Sequence, residues 1–221
     1  MAAETRWTHF TRKPRDAPQD YIELGELCRV HRGQVTGANR IWIAGLHSAE
    51  LPERTLVPTV TKALELFRAG PELTDIGSLK RVVDLPTDLS GFSDHEQIEI
   101  YRFVSWAVEV GACESAVAKD RRSWWSVGLR EPAPILATYM ARRPPAFVLN
   151  PGKARHINIA HGLYPREVLG TPILKALVSF LRQSATTQGG RVYSGGLTKF
   201  EPREMERLPI PGPKMLLEMA S

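Results

Sequence analysis

The sequence predicts an α+β fold, a twisted mixed β-sheet with flanking helices, and three observations lead there. Strand-like runs and helical stretches follow one another without the regular strand–helix alternation of a doubly wound sheet. The 221 residues are 43% hydrophobic and 24% charged, the balance of a globular chain able to bury a core without staples. No apolar run approaches the ~20 residues that span a bilayer.

Residues 1–20 show neither helical nor strand period around Arg12-Lys13-Pro14-Arg15 and read as a flexible basic arm. One domain is expected over 21–211, with 212–221 as a C-terminal tail. Tyr21 to Arg32 alternates as a strand pair broken at Gly25. A loop, Thr36-Gly37-Ala38-Asn39, follows, and Arg40 to Ala44 reads as a further strand. Leu56, Val60, Ala63, Leu64 and Phe67 recur at helical spacing, which predicts a helix starting at or just after Pro58. Lys80 to Pro86 is a short strand closed by proline. Asp94 to Val110 is the strongest helical signal. Ser93 and Asp94 cap it, Gly111 ends it, and Ile98, Tyr101, Phe103, Val104, Ala107 and Val108 give it a broad apolar face. Ile135 to Met140 and Ala146 to Leu149 are strand-like and flank Arg142-Arg143-Pro144-Pro145. Ile173 to Leu181 is an amphipathic helix after Pro172, 184–190 is a polar loop, and Pro202 to Leu208 is a short helix before Pro209.

The net charge of +5 conceals a division along the chain. Residues 119–199 carry 13 basic and 3 acidic side chains, whereas 41–118 carry 6 and 12. Such asymmetry is the footprint of a polyanionic partner. A membrane surface is disfavoured as partner, because no basic amphipathic helix with a broad apolar face accompanies the charge. The competing reading is that the acidic segment packs beside the basic one and neutralises it. Cys28 and Cys113 are too few for a disulfide framework or a zinc site, and the N-terminus has no apolar stretch of a secretion signal. A cytoplasmic protein is the expectation.

No reacting group announces itself. The chain lacks a G-x-G-x-x-G turn, a P-loop, an H-E-x-x-H pair and a G-x-S-x-G elbow. His156 and His161 have no third ligand nearby. Asp84, Asp88, Asp94, Glu96 and Glu99 lie close in sequence and could mimic a metal-dependent nuclease site, but no E-x-K follows, and a capped, solvated helix start explains them better. No catalytic, cofactor or metal residue is assigned.

Two glycine segments stand out instead. The first is Arg32-Gly33-Gln34-Val35-Thr36-Gly37-Ala38-Asn39-Arg40, and the second is Arg191-Val192-Tyr193-Ser194-Gly195-Gly196-Leu197-Thr198-Lys199. Both place glycine where a backbone turns sharply or lets another molecule approach, among residue types that contact phosphates and bases. Arg pairs with guanine and Asn with adenine, so Arg32 and Asn39, flanked by Thr36 and Arg40, are candidates for base readout. Equally, Thr36-Gly37 closes a turn that Asn39 caps. Lys119, Arg121, Arg122, Arg142, Arg143, Lys153 and Arg155 are candidate phosphate contacts, a few of them ion-paired with the acidic segment. Trp124 and Trp125 could stack on a base or wedge into a duplex, although aromatic pairs are more often core and at least one is expected to be buried. Tyr193 and Lys199 would line the same cleft.

These segments are joined in order by Val57-Pro58, by Trp124-Trp125 ahead of Pro134 and the Arg-Arg-Pro-Pro strand, and by His161-Gly162-Leu163-Tyr164-Pro165. The series ends in Gly195-Gly196-Leu197-x-Lys199-x-x-Pro202 and Leu208-Pro209-Ile210-Pro211. From Leu24 to Pro211 this order resembles the C-terminal target-recognition domain of gamma-type DNA amino-methyltransferases, mostly adenine-N6 enzymes of bacterial restriction–modification systems. The resemblance implies a sequence-specific recognition module or subunit for double-stranded DNA. It also implies a methyltransferase catalytic domain or subunit as partner, with S-adenosylmethionine bound there and no cofactor in this chain. Complete members carry a cofactor glycine motif and an Asn/Asp-Pro-Pro-Tyr/Phe motif ahead of this region. Asn150-Pro151-Gly152 and Pro144-Pro145-Ala146-Phe147 echo the second without its order. The alternatives are an interaction scaffold of such a complex and a stand-alone metal-dependent nuclease using the acidic cluster.

Overall fold

The computed structural model describes residues 18, 20–187 and 190–220. The arm expected over 1–20 lies, apart from residues 18 and 20, outside the described residues. In chain order the elements are β1 (Tyr21–Glu23), α1 (Leu24–Leu27), β2 (Cys28–Arg32), α2 (Asn39–Trp42), β3 (Leu56–Val60), α3 (Ala63–Ala69), β4 (Arg81–Val83) and α4 (Asp94–Glu109). There follow α5 (Ala116–Lys119), β5 (Ile135–Thr138), β6 (Met140–Ala141), β7 (Phe147–Leu149), β8 (Arg155–His156), β9 (Ala160–Pro165) and α6 (Thr171–Ser184). The chain closes with β10 (Arg191–Tyr193), β11 (Leu197–Lys199), α7 (Pro202–Glu206), β12 (Pro209–Pro211) and α8 (Pro213–Met219).

The fold is α+β, and an antiparallel sheet of order β2-β9-β5-β7 is its hub. Both faces of that sheet are covered. On one, Val30, Ile135, Ala137, Phe147 and Leu163 pack with Leu177 of α6, Met205 of α7 and Leu216 of α8. On the other, Leu136, Val148 and Ala160 pack with Val60 of β3 and Leu66 of α3. A strand covered on both faces has no polar side, which is why β5 and β7 read as unbroken apolar runs. The mixed pairing sits in a smaller sheet, where β3 runs antiparallel to β4 and parallel to β8. A three-stranded flap, β10-β11-β6, and the pair β1-β12 complete the strands. A separate core, built from Ile41, Trp42, Val82, Leu85 and Phe103, lies under α4.

Several local expectations change. Residues 40–44 do not form a strand: Asn39–Trp42 is a helical turn, with Ile43 N–H donating to Asn39 O. A strand would send Ile41 and Trp42 to opposite sides, whereas both are buried in the core under α4. The helix expected from Pro58 starts instead at Ala63, where the Glu65 carboxylate caps it by accepting from Thr61 N–H (2.7 Å) and Lys62 N–H (3.0 Å). Leu56–Val60 is a strand, favoured by Val57, Thr59 and Val60. Pro58, which has no N–H, lies just ahead of the residues that pair with β8. The helix at 94–109 forms as expected on its Ser93 cap, but its apolar face is split. Ile100, Phe103 and Ala107 are buried, while Ile98, Tyr101 and Val108 are about half exposed. The segment expected as a C-terminal tail is α8, docked on the domain through the fully buried Leu216.

Candidate nucleic-acid interface

The fold brings the two glycine segments together. Gly33 donates its N–H to Ala160 O at 3.0 Å, extending the β2–β9 ladder. A Cβ there would lie 2.1 Å from Ile157 O, so only glycine lets the chain pass. Beyond it the loop is braced from inside: Arg121 Nη2 donates to Val35 O (2.8 Å) and Thr36 O (3.1 Å). The second segment is a hairpin in which β10 pairs with β11 and β11 with β6. Gly195 and Gly196 turn it at φ 75° and 74°, a conformation costly for residues with a side chain. Arg142 Nε donates to Gly195 O at 3.1 Å and ties the loop after β6 to that turn.

Glu201 forms the junction. Its carboxylate meets Arg32 Nη2 at 2.9 Å and Lys199 Nζ at 2.5 Å. Beside it, Arg191 Nε meets Glu204 Oε1 at 2.5 Å, and Glu204 also accepts from Glu201 N–H. The Arg32 guanidinium lies 5.6 Å from the centroid of the Tyr139 ring, which stacks on His161 at 4.4 Å. Three cations (Arg32, Arg191, Lys199) thus share two carboxylates, and a fourth, Arg142, is held beside them by a backbone carbonyl. Lys199 and Arg32 hold the Glu201 carboxyl below its ordinary range, and the carboxylates raise Lys199 and Arg191. Val192, 73% exposed, and Tyr193, 47% exposed, give the hairpin an apolar, solvent-facing strand. This arrangement can hold phosphates and offer a ring to a base.

The other sequence candidates are dispersed. Thr36 is buried, and its hydroxyl donates to Asn39 Oδ1 at 2.5 Å, so this pair closes the loop while Asn39 stays exposed. Arg40 donates to Val110 O at the end of α4 (2.9 Å). Arg121 is half-buried, burial lowers its pKa, and its guanidinium is committed to the carbonyls of Val35, Thr36 and Trp124, an internal brace. Arg122 is exposed. Trp124 and Trp125 are both half-buried rather than one being enclosed: Trp124 packs edge-on to Trp42, and Trp125 Nε1 donates to Pro86 O at 3.2 Å. The Arg143 guanidinium lies over Phe67, 3.4 Å from the ring centroid. Arg155 pairs with Glu131 at 3.1 Å, and Lys153 is exposed at φ 56°. Strand register separates Lys153 from Arg32. Arg32, His161, Ala137 and Phe147 align at one end of the hub sheet, while Ile135 and Leu149, which lead into the Lys153 turn, align nearer the other. Sequence reasoning missed Arg191, Glu201 and Glu204 as members of the cluster.

Four of the acidic residues between 84 and 99 are individually engaged. Asp84 is raised by burial, yet accepts from Gly128 N–H (2.7 Å) and Leu129 N–H (3.1 Å). Asp88 accepts from Ser90 N–H, Glu96 pairs with Arg54, and Glu99 pairs with Arg102. Among the described residues, no group of three or more His, Cys, Asp or Glu could hold a metal ion. The Asn150 side chain, buried, bonds Ala133 O, Ala154 O and Ala154 N–H and shapes a turn. One ion pair among the described residues, Lys175 with Glu72 at 2.9 Å, joins the basic and acidic segments, so mutual neutralisation draws little support. Among the described residues no helix is long and apolar enough to cross a membrane.

Comparison with known proteins agrees with this architecture. A family model for the C-terminal domain of type II methyltransferase M.Eco57I matches residues 11–220. Type II methyltransferase M.XamI of Xanthomonas campestris pv. amaranthicola is 57% identical over 211 residues, covering 96% of this chain and 40% of that protein. Type II methyltransferase M.AccI of Acinetobacter calcoaceticus is 23% identical over 217 residues, covering 92% of this chain and 39% of that protein. The chain therefore spans about two fifths of the length of these curated relatives. The crystal structure of the type IIG restriction endonuclease BpuSI superposes with a TM-score of 0.60 at 16% identity, over 91% of this chain and 26% of that one, which shows a shared fold. The chain belongs to the family of type II methyltransferase C-terminal domains represented by that of M.Eco57I.

Proposed function

We propose that this chain is the DNA target-recognition part of a restriction–modification methyltransferase of the adenine-N6 kind. It holds duplex DNA and presents the target base to a catalytic domain or subunit, which binds S-adenosylmethionine. The observation that carries the reading is the junction of the two glycine segments. Arg32, Arg142, Arg191 and Lys199 outnumber Glu201 and Glu204 there, beside the exposed Val192 and Tyr193. Charge density with an accessible ring is what duplex binding and base contact require. Mobility shift of a random-sequence duplex at low and then raised salt tests it. Salt-sensitive binding weakened by Arg142→Glu and Arg191→Glu is expected. Absence of such binding, with the chain alone and with a catalytic partner, would sink the reading.

The scaffold reading is favoured by one observation, the exposed Ile98, Tyr101 and Val108 on α4, opposite its buried stripe. A helix apolar on two sides is ordinarily covered on both. The surrounding segment is acidic and repels DNA, so the catalytic domain is the occupant this surface suits. Tyr101→Asp should then weaken association with the catalytic partner and leave DNA binding unchanged.

A further inference from the structure

Glu201 is an anion placed where a polyanion is to bind, and that placement requires a reason. Stability does not supply one. The Arg32 side chain is 39% exposed and that of Glu201 26% exposed, and ion pairs this wet contribute little. Geometry does supply one. The carboxylate holds Nη2 of Arg32 on one oxygen and Nζ of Lys199 on the other, so one side chain fixes a cation from each glycine segment. Arg32 is fixed from a second direction by the Tyr139 ring. Tyr139 is itself held on two sides: it stacks on the fully buried His161, and its hydroxyl donates to Asn158 O at 2.8 Å. The rest of the Arg32 fork has no other protein acceptor among the described residues. A planar fork anchored by one arm and one face matches the O6 and N7 acceptors of guanine, whereas a mobile guanidinium serves any phosphate equally.

We propose that Glu201 is a positioning residue for sequence readout. It presents Arg32 to the major-groove edge of a guanine at one position of the target site and keeps Lys199 beside it for a neighbouring phosphate. This rests on the DNA-recognition reading above and assigns one base of the target and the residue that sets it.

The test is selection from a random 30-base-pair duplex pool by the full chain, with sequencing of the bound fraction. Non-specific affinity and melting temperature are measured in parallel. The wild type should enrich a motif with a G·C position. Glu201→Gln should lower the preference at that position about tenfold. The same variant should raise affinity for unselected DNA, because an anion has been removed. Arg32→Lys keeps the charge and loses the fork, so it should lose preference at the same position, and the double variant should lose no more than either single one. A purely structural role would lower all binding together with the melting temperature. Unchanged base preference in both single variants, or additive losses at different positions, overturns the proposal. So does wild-type binding that is salt-sensitive but enriches no motif, an outcome that leaves the DNA-binding reading standing. No binding by any form removes both. Should Glu201→Gln fail to fold, Arg32→Lys alone decides.

Discussion

Tyr139 lies against His161 with ring centroids 4.4 Å apart and planes 17° from parallel, and the stack closes the floor beneath the basic cluster. His161 is fully enclosed, with Nε2 2.9 Å from Phe200 O and Nδ1 without a partner. His156 is also buried, and its Nε2 is unpartnered. Burial pushes both histidines down to about 4 from an ordinary 6.5. Between those values the folded chain keeps them neutral while the unfolded chain takes up protons, so stability is complete above 6.5 and is lost as pH falls toward 4. Each histidine contributes up to about 1.4 kcal/mol per pH unit in that window. Going from pH 7.5 to 5.5 should therefore cost roughly 3 kcal/mol, or about 6–12 °C in melting temperature for a chain of this size. Calorimetry at the two pH values checks this, and His156→Gln/His161→Gln should flatten the dependence. A wild type that melts at one temperature throughout would contradict it.

Gly33→Ala should unsettle the same floor from the other side. The added Cβ would lie 2.1 Å from Ile157 O and 2.6 Å from His156 Cδ2, a backbone acceptor and an enclosed ring, neither of which can yield cheaply. Overpacking of this kind costs about 3 kcal/mol. Gly91→Ala is the control, since a Cβ there meets nothing within 4 Å. Urea denaturation should separate the two variants clearly, and equal midpoints would show that the β2–β9 edge relaxes freely.

Arg121→Ala should destabilise the fold rather than merely weaken DNA binding. Its fork satisfies Val35 O and Thr36 O from 86 and 85 residues away in the sequence. Losing a charged donor from half-buried carbonyls costs about 2 kcal/mol. Arg121→Lys should recover only part, because an ammonium on a single stem lacks the fork. Equilibrium unfolding measures both. A change under about 0.5 kcal/mol in the alanine variant would return Arg121 to the list of free phosphate contacts.

These cases show what the sequence makes legible. The 94–109 and 171–184 helices and the β5 and β7 strands are written locally, in the Ser93 cap, in Pro172 and in unbroken apolar runs. The strand at 56–60 is not, because Leu56, Val60, Ala63, Leu64 and Phe67 mimic one helical period although the chain changes state at Lys62. That change is set by pairing with 81–83 and 155–156, which spacing does not record. The apolar residues of α4 likewise form one face in the sequence, since periodicity cannot say which of two opposite stripes is covered. Both glycine segments were visible as clusters of Gly and Arg. Their meeting depends on Glu201 and on the β2–β9 and β11–β6 registers, which unite residues 169 apart. Arg121 looked like a free cation because its acceptors are backbone atoms, which no composition reveals.

The charge around the flap should be separable from the charge at the far end of the hub sheet. Arg191 lies on the glycine hairpin and Arg142 is tied to its turn, whereas Lys153 follows β7 toward the opposite end of the strands, and Arg155 is already paired with Glu131. Each phosphate contact removed lowers the slope of log affinity against log salt by about one. Arg142→Ala and Arg191→Ala should each show that loss, although Arg191→Ala also frees Glu204 and so weakens binding further. Lys153→Ala and Arg155→Ala should change the slope by less than about half as much. Fluorescence anisotropy titrations of a labelled duplex across a salt series measure all four variants. If Lys153→Ala lowers the slope as much as Arg142→Ala, the duplex runs along the hub sheet from end to end and the flap is one border of a longer track.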